Sequence, residues 1–99
     1  MPQADLHRTR AGNTLVCRIQ TDLGAEAPLI LCAPVVPRGE FGRLVPKLHI
    51  PVSFDNDTYI IVMSQMVAIP ATELGPVVGT VAAWRDEIIA AVDLLVSGF

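Results

Sequence analysis

The chain has 99 residues, of which 52% are hydrophobic, 17% charged and 5% aromatic, with a formal net charge of −3. So apolar a composition excludes an intrinsically disordered chain, and 7 Gly and 8 Pro without a period exclude a collagen-like one. Its length fits one domain over residues 1–99, whose core is too small to hide all the apolar side chains, so part of that surface is expected to lie against a second copy or a partner.

The first ten residues are polar, with no apolar h-region and no A-x-A site, which predicts a cytoplasmic protein with reduced thiols. Leu15 to Gln20 alternates, placing Leu15, Cys17 and Ile19 on one face and Arg18 and Gln20 on the other, as a half-buried strand does. Leu29 to Ala33 is an apolar run between Pro28 and Pro34, too short for a helix and so a buried strand. Pro34, Pro37, Gly39, Gly42 and Pro46 make residues 34–47 irregular. His49–Phe54 and Thr58–Met63 flank Asp55-Asn56-Asp57, residues that tolerate left-handed backbone, and form a predicted hairpin. Met66–Ile69 is a further short strand stopped by Pro70.

From Val81 the period changes. Val81, Trp84, Ile88, Ala91, Val92 and Leu95 recur at three- and four-residue steps, the mark of an amphipathic helix with Thr80 as its N-cap and Gly98 as its C-terminal glycine. On that apolar face Trp84 is expected in the core or at a dimer contact.

Charge is uneven along the chain. Residues 1–50 carry six bases and four acids, whereas residues 51–99 carry Arg85 alone against six acids. The basic half lacks the aromatic interleaving and the Lys/Arg density of a nucleic-acid platform, so direct nucleic-acid binding is not expected. No stretch reaches the ~18 apolar residues of a membrane span. Cys17 and Cys32 read as small buried hydrophobes that stay unpaired. His7 and His49 have no partner at metal-ligand spacing, and no phosphate loop, G-x-S-x-G or H-E-x-x-H is present, so neither metal nor cofactor is expected. Asp55 and Asp57 lack the glycine and distal Glu of a calcium loop. Asp86 and Glu87 are neighbours pointing apart on a solvated helix face. These residues assemble no enzyme.

Gln20-Thr21-Asp22, Met66-Val67-Ala68-Ile69-Pro70 followed by Leu74-Gly75, and Asp86 to Leu95 ending in Gly98, taken in order and spacing, resemble the CcdB toxins of bacterial toxin–antitoxin modules. The resemblance runs from about Leu15 onward and is weaker before it. It implies a β-rich α+β fold, an SH3-like antiparallel β-barrel or sheet with a small second sheet and one C-terminal α-helix, paired as a homodimer. It also implies a non-enzymatic toxin that binds the A subunit of DNA gyrase and is countered by a CcdA-like antitoxin. MazF-like endoribonucleases share the fold, so an RNA-cleaving alternative and a non-toxic dimeric binding module remain open at this point.

The family binds its target through a C-terminal Trp-Gly-Ile preceded by Phe, an Asn on the same helix, and two Ile after the Gln-Ser-Asp stretch. The matching positions here are Ser97, Gly98 and Phe99; Val96; Asp93; and Leu23 and Gly24. The glycine is kept, Leu23 and Phe99 remain apolar, the tryptophan is lost and the asparagine has become an acid. These seven positions are the expected target-binding residues, with weakened gyrase poisoning as the expected consequence.

Overall fold

The computed structural model describes residues 2–22 and 27–98. Among these described residues seven strands precede one α-helix: β1 (Asp5–Thr9), β2 (Leu15–Arg18), β3 (Leu29–Pro37), β4 (His49–Phe54), β5 (Asp57–Val62), β6 (Val67–Pro70), β7 (Leu74–Thr80) and α1 (Arg85–Ser97). All pairings are antiparallel, in the order β4-β5-β3-β2-β1-β7, and β6 also pairs with β3. The long β3 organises the sheet. One of its edges takes β2, while the other takes β6 along residues 29–32 and β5 along residues 35–37, with the turn Met63–Gln65 making the step between them. This is the expected β-rich α+β arrangement with a C-terminal helix, built as an open sheet.

The main core lies on one face of the sheet, where Leu6, Cys17, Ala33, Ile61 and Met63 meet Ile88 and Ala91 of α1. Val16, Ile30, Cys32 and Leu74 form a smaller cluster. Register explains the two groups: Cys17 lies opposite Ala33 and Arg18 opposite Cys32, so successive β2 side chains turn to opposite faces. Both faces of β2 are covered, and Arg18 is 5% exposed rather than solvated as its alternation predicts. Its Nε donates to the Gln20 carbonyl at 2.8 Å.

Other expectations are corrected in the same way. β1 was hidden by its polarity. It runs between β2 and β7, so its polar residues Asp5 and His7 are buried along with Leu6. β3 does not stop at Pro34 but continues to Pro37, which shortens the irregular segment. The Leu31 carbonyl accepts the Ile19 amide on the β2 side, so strand alternation turns Pro34 toward the opposite edge, at the step between β6 and β5. Its missing N–H therefore breaks no ladder bond there. The hairpin turn is tighter than the three polar residues imply. Asp55 and Asn56, at φ 54° and 63°, form it alone, and Asp57 already pairs with Phe54.

At the start of the helix, Thr80 is not the N-cap. It ends β7, and its Oγ accepts the Ala82 amide at 3.2 Å, supporting a 3₁₀ turn over Ala82–Trp84 from which α1 begins at Arg85. Trp84 stands at the N-cap position without a capping side chain, and Asp86 and Glu87 in the first turn complement the helix dipole. The other end is as expected. Gly98 has φ 82°, and its amide donates to the Leu94 carbonyl at 3.0 Å.

Cys17 and Cys32 are free and buried. Burial pushes the Cys17 thiol up to about 12 and the Cys32 thiol up to about 11, from an ordinary value of 9.0. The thiol that ionises is the one that reacts, so the native protein should resist alkylation at pH 8 and yield two thiols per chain once denatured without reductant. Near zero would mean a disulfide. Above pH 9 the folded chain keeps protons that the unfolded chain has lost, so stability should fall as pH rises from 9 toward about 12, a slope that Cys17→Ala should flatten.

Candidate partner-binding site

The helix buries only a narrow stripe. Ile88 and Ala91 are sealed in the core, Trp84 and Val92 are half-buried against it, Leu94 is partly covered, and the other positions of α1 are exposed. Toward the C-terminus the helix is less covered: Leu95, expected among the buried positions, is 42% exposed, and Val96 is 78% exposed. Helical spacing sets Ile89, Val92 and Val96 in one row and Asp93 and Ser97 in the row beside it. The last three turns of α1 thus present a partly apolar, partly acidic surface.

Of the expected target-binding residues, Asp93, Val96, Ser97 and Gly98 share this end of α1, and all four are exposed. Leu23, Gly24 and Phe99 lie outside the described residues. Ile89, 42% exposed, joins the group without having been singled out. Its signal was present in sequence, since an isoleucine one step off the Ile88 stripe has no core to enter.

Beside this surface, a groove of about 440 Å³ runs between α1 and the start of β4. Ile50, Pro51, Ala90 and Leu94 give it apolar walls, Glu87 and Asp93 stand on the helix side, and Lys47 and His49 stand opposite. Lys47 is held by a left-handed backbone, φ 74°. The Val45 amide donates to His49 Nδ1 at 2.7 Å, which leaves the ring proton on Nε2, 3.3 Å from Ser64 Oγ. Phe41 packs edge-on against the same ring at 4.7 Å. His49 is therefore fixed as part of the wall.

The second histidine is not among the residues that line the groove. His7 is fully buried, its Nδ1–H donating to the Gly75 carbonyl at 2.8 Å and its Nε2 without a partner. Among the described residues no three His, Cys, Asp or Glu side chains converge as metal ligands, and no helix is long and apolar enough to cross a membrane.

The sheet order and the exposed end of α1 define a small antiparallel α+β protein. The family model described as CcdB protein matches residues 3–98, nearly the whole chain, and the chain belongs to the CcdB family, toxins of toxin–antitoxin modules. The match extends into β1, where the sequence motifs were weakest. No curated protein matches the sequence.

Proposed function

We propose that this chain is a toxin of a type II toxin–antitoxin module that binds the A subunit of DNA gyrase. In this reading residues 1–99 form one domain, two chains pair as a cytoplasmic homodimer, and a CcdA-like antitoxin neutralises them. The protein acts by binding, with no catalysis, cofactor, metal or direct nucleic-acid contact. Leu23, Gly24, Asp93, Val96, Ser97, Gly98 and Phe99 make the target contact.

The observation that carries the reading is the coincidence of family membership over residues 3–98 with a helix end that leaves Val96 78% exposed. An apolar residue so open to water at the position the family uses for its target favours a contact surface. Exposed Ile89, Leu95 and Val96 likewise support pairing with a second copy or a partner.

The direct test is capture of gyrase A by the purified protein from a bacterial lysate, repeated with purified gyrase. Retention is expected, with weak growth arrest on expression. A protein that retains no gyrase A at micromolar concentration would refute the target assignment. Sedimentation should give a species of about twice the 10.6 kDa chain mass, and a monomer at the same concentration would refute the dimer.

A further inference from the structure

We infer that the groove between α1 and the start of β4 is a docking site for a polypeptide segment that sets a basic side chain beside an apolar one. The inference rests on the reading above that this end of the helix meets a macromolecular partner, and it adds the chemistry of the segment received.

The groove has the form that such a segment needs. Ile50 and Pro51 on one wall and Ala90 and Leu94 on the other offer an apolar cleft of about 440 Å³, room for a large aliphatic or aromatic side chain. Glu87 and Asp93 lie six residues apart on α1, about 9 Å along the axis, and border that cleft from the same side. Among the described residues neither carboxylate, nor the Lys47 ammonium across the groove, is held by a side-chain hydrogen bond or ion pair. His49 is committed to Val45 and Ser64 through its two ring nitrogens. The rim therefore carries two free acids against one base.

Charge complementarity then selects the occupant. A Lys or Arg beside an apolar anchor meets Glu87 and Asp93 while the anchor fills the cleft, and an acidic segment is repelled from the same wall. Lys47 fixes direction, because an acid on the incoming segment is favoured only on the β4 side. Arg suits the helix side best, since its planar fork can engage a carboxylate with two hydrogen bonds while its stem lies on Ala90 and Leu94.

The test uses two short fluorescein-labelled peptides, one alternating Arg and Leu and one with Glu in place of each Arg, with the intact protein. Anisotropy should show binding of the basic peptide and little of the acidic one, and amide shifts on titration should centre on Ile50, Ala90 and Leu94. Glu87→Gln with Asp93→Asn should weaken the basic peptide by roughly tenfold. Both positions are exposed, so folding should survive, and an unchanged circular dichroism spectrum with an unchanged denaturation midpoint checks that it does. Equal binding of the two peptides, no binding of either, or an unaltered affinity in the double variant would overturn the inference. Groove amides that shift on dilution of the protein alone would also overturn it, by placing a second copy there. The peptides contain nothing of gyrase. A protein that captures gyrase A but ignores the basic peptide refutes the groove alone, and the opposite result refutes only the gyrase assignment.

Discussion

Gly75→Ala should cost about 3 kcal/mol or more of folding stability, whereas Gly79→Ala should cost about 1–2 kcal/mol, both as overpacking of a close contact. A Cβ at position 75 would lie 2.6 Å from the Arg8 carbonyl oxygen, a backbone atom of β1. That oxygen can retreat only if β1 moves, and β1 is held between β2 and β7. The Gly75 carbonyl also accepts the hydrogen bond that orients fully buried His7, so displacing it threatens a polar group with no access to water. At Gly79 the obstacle is the Phe54 ring edge, 2.5 Å from the added carbon. A side chain can swing away, although its edge-on contact with Tyr59 at 5.6 Å then suffers. Equilibrium urea unfolding of both variants and wild type at one protein concentration measures the difference. A Gly75→Ala midpoint equal to wild type, or a larger loss at Gly79, would mean that the β1–β7 approach is not as close as described.

That pair of glycines also shows what could be read in the sequence and what could not. Leu74-Gly75 was legible only as part of a family resemblance, because nothing local reveals that Gly75 must lie against the backbone of β1, a strand more than 60 positions earlier. β1 itself carried no alternation, since its buried face includes Asp5 and His7 as well as apolar neighbours. By contrast, the hairpin around Asp55-Asn56 and the Gly98 helix end follow from local backbone preferences, and both were legible. The register of β3 was half legible. A proline in a strand can be judged only when the partner of each edge is known, and the step from β6 to β5 is a tertiary fact. The candidate site divides along the same line. Asp93, Val96, Ser97 and Gly98 come together because one helix carries them, while the groove joins residues 47–51 to residues 87–94 and has no sequence signature.

Ser97→Trp should strengthen gyrase A binding by roughly 30- to 700-fold, taking ~2–4 kcal/mol for an aromatic anchor at an interface and about 1.4 kcal/mol per tenfold. The resemblance places the family's tryptophan at this position, and the local geometry can receive one. Ser97 is exposed in the last turn of α1, immediately before left-handed Gly98, and Val96 beside it is 78% exposed. An indole at 97 would project from the helix end without entering the core, so the variant should fold as wild type does. Phe99, two positions on in the sequence, is aromatic where the family has isoleucine. Asp93 lies one turn before Ser97 on the same face, where the family has asparagine. Its charge opposes burial against a neutral target surface and favours a basic one. Asp93→Asn combined with Ser97→Trp should therefore exceed Ser97→Trp alone on a target whose facing surface is neutral, and fall below it where an Arg or Lys faces position 93. Growth arrest on expression and gyrase-dependent DNA cleavage in vitro compare the three proteins directly. If wild type already poisons gyrase at a potency that Ser97→Trp does not improve, the tail is not attenuated, and the contact is carried by other residues at the end of α1.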